Sequence, residues 1–293
     1  MTSKPKVAVL GLGLMGAGMA SRLLSQGFAV SVYNRSREKS ESLRMQGATV
    51  GNTARERVSE ASVVIAMISD DNASRNIWLG KDGALAGAAP GSVLIESSTI
   101  SPAWVRELAQ IAADKGCQLI DAPVTGSKPQ AAAGQLLFLV GGSSAALDQA
   151  RPVLSAMSRD IVHLGPVGSG ASMKLINNFV CGVQAVALAE AVALIERTEL
   201  DPAKALAVLT EGAPGSPLVR LLSQRMAARD FMPNFLLKLM AKDLDYSVEM
   251  AKGYSFSPAT VVASLGVMQK AVDAGLGDKD FSSVVELLRS LGD

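Results

Sequence analysis

A chain of 293 residues, 48% of them apolar, has enough material for one large core or two smaller ones, which excludes a disordered chain. Its 28 basic and 27 acidic residues leave a net charge of +1, so no charge excess points to nucleic acid or to an anionic membrane as partner. Two cysteines, Cys117 and Cys181, in no CxxC or metal-like spacing fit a reducing, cytoplasmic compartment, and the single histidine, His163, excludes a His-rich metal site and speaks against a Ser-His-Asp triad.

The first element is Lys6 to Leu10, a short β-branched run expected to be a strand. No basic and apolar leader precedes it, so no secretory signal is expected. It runs into Gly11-Leu12-Gly13-Leu14-Met15-Gly16, then a helical stretch over Ala17–Gln26 that Gly27 stops, then a second strand over Phe28–Tyr33. Strand, G-x-G-x-x-G, helix, strand is the dinucleotide-binding fingerprint in its required context. The first glycine permits the tight turn, the second lets backbone approach the pyrophosphate, and the third lets helix and strand pack closely.

The end of the second strand selects the cofactor. An NAD-binding chain usually places Asp or Glu there to hold the ribose 2′-hydroxyl. Here it reads Asn34-Arg35-Ser36-Arg37, with no carboxylate to repel a 2′-phosphate and two arginines to bind one. NADP(H) is therefore expected. The bland alternative is a solvated basic turn.

The α/β alternation continues through strands over Ser62–Ser69, Ser92–Ile95, Gln118–Asp121 and Leu136–Val140, with a helix from Pro102 to Lys115. Ligands collect at the carboxyl ends of such strands, so the stretches Asp70–Asn72, Ser97–Thr99 and Asp121–Lys128 are expected to be ligand-facing loops. Thr125-Gly126-Ser127 offers hydroxyls and unobstructed N–H groups suited to a small carboxylate, although alone it reads as a Gly/Ser turn. The charge-free stretch Pro129–Leu147 contains glycines and polar residues and does not read as a membrane span. A last short strand over Ile161–Leu164 holds His163, read as a structural histidine.

Gly165-Pro166-Val167-Gly168-Ser169-Gly170 then punctuates the chain. The boundary is set here, giving an NADP-binding domain over 1–166 and an all-helical domain over 167–293. Helices are expected over 171–197, Pro202–Glu211, 216–228, Phe235–Lys252, Pro258–Ala274 and 282–291. In the first of these, Gly170, Lys174 and Asn178 are spaced by four and share a face of an almost wholly apolar helix. A buried ammonium costs several kcal/mol unless paired. Lys174 is thus either wet, near the helix mouth, or present for chemistry. Lys238 and Lys242 form a second four-residue pair among leucines and methionines, read either as surface lysines or as partly buried ones.

These motifs together resemble the β-hydroxyacid dehydrogenase family. The resemblance is carried by GLGLMGAGMASRLL at 11–24, YNRS at 33–36, ESST at 96–99, DAPVTGS at 121–127, GASMKLINN at 170–178 and KDL at 242–244, nearly end to end. It implies an α/β Rossmann domain, with a mostly parallel sheet, followed by an all-α domain, the two joined by a long helix, in a homodimer or homotetramer. Lys174 matches the family's catalytic lysine and Asn178 its neighbouring asparagine. Thr125 and Gly126 match the Ser-Gly that holds the substrate carboxylate, with Thr125 adding a methyl. Asp243 and Phe235 match positions supporting or lining the active site. Gly11, Gly13, Leu14, Met15, Gly16, Asn34, Arg35, Ser36, Thr99 and Lys242 match cofactor contacts. Ser127 departs from the family's second Gly, and GSKPQA with Asn34-Arg35 looks most like the glyoxylate/succinic semialdehyde reductase branch. The resemblance implies an NADPH-dependent reductase of a short aldehyde acid, with no metal, nucleic acid or membrane partner. Oxidation of a 3-hydroxyisobutyrate-type substrate, imine reduction and a non-catalytic NADP-binding role are the rivals. Lys174 argues against the last two.

Overall fold

The computed structural model describes residues 4–290. Residues up to Lys174 make one compact unit and residues from Leu175 a second.

In the first unit, β1 (Val7–Leu10) shows why a sheet forms. All four residues are buried, Val7 and Val9 in one apolar cluster and Ala8 and Leu10 in another. A strand covered on both faces needs apolar side chains at both parities. The same holds for β4 (Val63–Ala66), whereas β2 (Val30–Tyr33), nearer the edge, alternates buried and half-buried residues. With β3 (Thr49–Val50), β5 (Val93–Glu96), β6 (Gln118–Asp121), β7 (Val124–Thr125), β8 (Leu136–Gly141) and β9 (Ser158–Gly165) they form a sheet in the order β3-β2-β1-β4-β5-β6-β8-β7, with β9 on β8. Pairing is parallel except where β8 meets β6 and β7. The chain reverses its winding between β1 and β4, the topological switch point where such sheets bind ligands.

Around this sheet lie α1 (Leu14–Ser25), α2 (Glu41–Met45), α3 (Ala54–Val58), α4 (Asp71–Leu79), α5 (Pro102–Asp114), α6 (Lys128–Ala133) and α7 (Ser144–Met157). Side-chain caps start several of them: Thr53, Asp70, Ser101 and Ser143 each accept a backbone N–H three residues on. Trp78 of α4 and Trp104 of α5 are fully buried in one cluster, and Met19 and Leu23 of α1 with Phe138 of β8 in the other. Each such side chain stabilises by about 1.5–3 kcal/mol.

α8 (Ser169–Ile195) crosses from the first unit into the second. It is 27 residues long and contains an 18-residue window with a mean hydropathy of 1.8, enough by length and composition to cross a membrane. From Leu175 onward its buried residues Ala185, Val186, Leu188, Ala189 and Val192 join a core built with α10 (Pro217–Ala228), α11 (Leu237–Lys252) and α12 (Ala259–Ala271). α9 (Pro202–Glu211), capped by Asp201, and α13 (Val284–Ser290) complete the unit.

Four expectations change. Asp70–Asn72 is not a loop: Asp70 accepts from Ala73 N at 2.8 Å and α4 begins at Asp71. Asp70 and Asp71 read as turn residues because they also cap helices. Within Asp121–Lys128, Val124–Thr125 pairs antiparallel with Phe138 and Leu137 as β7. Phe235 lies before its expected helix. Its N–H goes to Asp280 Oδ2 at 3.1 Å and its carbonyl accepts from Phe281 N at 2.9 Å, so a long-range pairing outbids the helical register. The helix over Pro258–Ala274 also ends sooner, in a wide turn at Val272–Leu276 where Gly275 takes φ 84°. The expected end of the last helix at 291 lies outside the described residues.

Candidate active site

The carboxyl edge of the parallel strands is knitted by side chains accepting backbone hydrogen bonds. Gly11, at φ 91°, turns the chain out of β1, and a Cβ there would overlap Met67 O. A Cβ on Gly16 would overlap Gly11 O, so α1 can press against the turn only with glycine at 16. Gly13 differs. Its φ of −71° suits any residue, and nothing lies within 4 Å of an added Cβ. No side chain caps α1, unlike α3, α4 and α5. The first-turn N–H groups thus have no side-chain cap, an arrangement suited to an anion. Leu14 is exposed and Met15 half-buried beside it.

Asn34 accepts from Leu12 N at 2.9 Å and donates to Ser36 O at 2.9 Å. Its amide therefore clamps the glycine turn to the end of β2. Arg35 and Arg37 are exposed and Ser36 is half-buried, and no acid stands between Tyr33 and Arg37.

At the next two strand ends, Ser98 Oγ accepts from Ile68 N at 2.9 Å. Glu96, fully buried, accepts from Ser98 N, Ser74 Oγ and Trp78 Nε1 at 3.0, 2.7 and 2.8 Å. Burial pushes its carboxyl above the usual carboxylate range, against the pull of those donors. Thr99, next in the chain after Ser98, is half-buried. Ser97 Oγ donates to Ala122 O at 2.8 Å, and Asp121 accepts from Gly168 N and Ala171 N at 2.8 and 2.7 Å. Thr125 is half-buried on β7, and Gly126, at φ 117°, is exposed. Lys174 follows one turn after Ala171 and is half-buried. His163 donates from Nε2 to Gly142 O at 2.8 Å, a bond to backbone.

In the second unit Asn178, Lys242 and Asp243 come together. Asn178 Nδ2 donates to Asp243 Oδ2 at 2.6 Å, and Lys242 Nζ lies 2.8 Å from Asp243 Oδ1. Asp243 is buried, and Lys242 also sits 4.7 Å above the Tyr246 ring, a cation–π contact. Lys238, by contrast, is exposed and paired with Asp278 at 2.6 Å. The two lysines share a spacing and not an environment. Phe235 is half-buried against Phe281, edge to face at 5.6 Å, and its backbone is held by Asp280.

Sequence reading missed Glu96, Asp280 and Tyr246. Glu96 has a signal: it is the one acid in a strand otherwise apolar, ahead of two serines. Asp280 and Tyr246 have none, since their partners are distant in sequence or on another turn.

An uncapped helix start behind a glycine turn, at the switch point of a parallel sheet, defines a dinucleotide-binding protein, and the open cradle at Gly13 fits a pyrophosphate. A family model for the NAD binding domain of 6-phosphogluconate dehydrogenase matches residues 6–165, and one for the NAD-binding of NADP-dependent 3-hydroxyisobutyrate dehydrogenase matches residues 168–288. The chain belongs to the β-hydroxyacid dehydrogenase family. It is 36% identical to an NAD-dependent L-serine dehydrogenase of Pseudomonas aeruginosa, over 96% of this chain and 97% of that one. It is 32% identical to glyoxylate/succinic semialdehyde reductase 1 of Arabidopsis thaliana, over 97% and 98%. Among solved structures, Mycobacterium tuberculosis 3-hydroxyisobutyrate dehydrogenase with L-serine superposes with a TM-score of 0.88 at 34% identity, covering 98% of this chain and all of that one. The protein is a nicotinamide-dependent oxidoreductase of hydroxy acids, acting on a CH–OH group or its carbonyl counterpart.

Proposed function

We propose that the chain is an NADPH-dependent reductase of a short aldehyde acid such as glyoxylate or succinic semialdehyde. The observation that carries this reading is Lys174: a half-buried lysine one turn inside an apolar helix, four residues before Asn178, whose amide Asp243 fixes. The nicotinamide, when bound, supplies the hydride. Lys174 hydrogen-bonds the substrate carbonyl oxygen and passes its proton to the alkoxide that forms. Thr125 Oγ1 and the N–H groups around Gly126 hold the substrate carboxylate. A positioned proton donor is worth about 10²–10⁴-fold.

Arg35 supports NADPH, because it is exposed beside a strand end without a carboxylate. Exposed apolar residues along α8, with Ile176, Val180 and Leu194 at 44%, 47% and 64%, support a homodimer or homotetramer that covers them, and light scattering measures the mass.

A second reading is oxidation of a β-hydroxy acid with NAD. The P. aeruginosa relative and the L-serine-bound structure favour it. NADPH and NADH oxidation against a panel of aldehyde acids, with NAD and NADP reduction by L-serine and 3-hydroxyisobutyrate in parallel, separates the two. Fast turnover of glyoxylate or succinic semialdehyde with NADPH is expected. Faster L-serine oxidation with NAD installs the second reading. In either direction Lys174→Ala lowers kcat at least about a hundredfold with cofactor affinity unchanged. Near-full kcat in that variant removes Lys174 from the chemistry.

A further inference from the structure

Asp121 is fully buried, and backbone N–H groups hold its carboxylate. It accepts from Gly168 N at 2.8 Å and Ala171 N at 2.7 Å, at the start of α8. That helix has no acid in its own first turn. The negative charge favoured at a helix start therefore comes from the end of β6, about 50 residues earlier in the chain. The seat is filled to contact. A Cβ on Gly141 would lie 2.5 Å from Asp121 Oδ1, and one on Gly170 would overlap Leu139 O. Thr125 follows Asp121 by four residues, and Lys174 follows Ala171 by one helical turn, about 4.5 Å of rise.

We propose that Asp121 is a positioning residue for the reaction: it seats the first turn of α8 on the end of β6 and so sets where Lys174 delivers its proton relative to the Thr125–Gly126 turn. The inference rests on Lys174 as proton donor. Burial pushes the Asp121 carboxyl up and the N–H groups of Gly168, Ala171 and Gly170 pull it down, consistent with a group whose work is to accept those bonds. A small error in donor placement is costly: about 1 Å can lower a rate about a hundredfold.

The test compares wild type, Asp121→Asn, Lys174→Ala and the double variant with NADPH and whichever of glyoxylate and succinic semialdehyde the wild type turns over faster. Rates are taken per NADPH site, counted by dihydronicotinamide fluorescence. Asp121→Asn is expected to lower kcat about tenfold to a hundredfold with NADPH affinity within about twofold, and to cost less than about twofold in the Lys174→Ala background. The same fall in both backgrounds means a structural role only and overturns the proposal, as does wild-type kcat in Asp121→Asn. Full kcat in Lys174→Ala alone identifies failure of the proton-donor reading, and the proposal falls with it. If Asp121→Asn does not fold, Asp121→Glu keeps the charge and displaces the seat. The same loss and the same coupling to Lys174 are expected of it, and their absence overturns the proposal.

Discussion

Asn178 and Asp243, 65 residues apart in sequence, are joined by a 2.6 Å hydrogen bond from the amide nitrogen to Asp243 Oδ2, while Lys242 lies 2.8 Å from the other oxygen. One buried carboxylate thus orders a polar pair on two helices that also meet through apolar residues and through Ser247 Oγ, which donates to Leu175 O at 3.1 Å. Removing one partner of a largely buried ion pair leaves the other uncompensated. Asp243→Ala is expected to destabilise the chain by about 2–4 kcal/mol, and Asn178→Ala by about 1–3 kcal/mol. The double variant should cost less than the sum, since both delete the same bond. Urea midpoints measure all three, and full additivity would show that the two side chains do not act together.

In the NADPH-dependent reductase proposed above, the cofactor preference turns on Arg35. Asn34 spends its amide on Leu12 N and Ser36 O, so on the proposed NADPH reading the exposed guanidinium beside it is the group assigned to the 2′-phosphate. Arg35→Asp replaces attraction by repulsion and supplies the acid that NAD-binding strands carry. The ratio of kcat/KM for NADPH over NADH should fall at least about tenfold. An unchanged ratio would assign the phosphate to Arg37 or another residue.

How far the sequence shows all this depends on the range of the interaction. The glycine turn, β1 and the capped helices are local: periodicity, φ demands and cap residues lie within a few positions of one another. So are Lys174 and Asn178, one turn apart on one helix. What the sequence hides is pairing across distance. Nothing near Phe235 reveals that Asp280 will take its N–H, and nothing in the Lys238/Lys242 spacing separates an exposed lysine from one stacked on Tyr246. Thr125 reads as a loop residue because a two-residue strand has no period to detect.

Glu96 makes stability depend on pH in an unusual sense. Burial raises its folded pKa, so as pH rises the unfolded chain loses the proton first and gains relative to the folded one. Its contribution is fully present below the ordinary carboxylate range and is lost as pH rises through the folded pKa. Glu96→Gln cannot titrate. The melting temperature of wild type minus that of the variant should therefore fall as pH is raised from about 4 towards neutrality. A difference that grows with pH would mean that the donors from Ser98, Ser74 and Trp78 outweigh burial.

Gly13 and Gly16 separate binding from folding within one turn. A Cβ at 16 would overlap Gly11 O, so Gly16→Ala must move α1 away from β1 and lower stability and cofactor affinity together. At 13 an added Cβ meets no atom of the chain, and the backbone angles suit alanine. The helix start loses under about 1 kcal/mol by the change, since alanine is a poorer cap than glycine. The space that the methyl fills is where the pyrophosphate approaches the backbone. Gly13→Ala should therefore keep its melting temperature within a few degrees of wild type and weaken NADPH binding at least about tenfold. Calorimetric titration and thermal unfolding of the same sample measure both quantities. Unchanged affinity with unchanged stability would place the pyrophosphate elsewhere than over the start of α1.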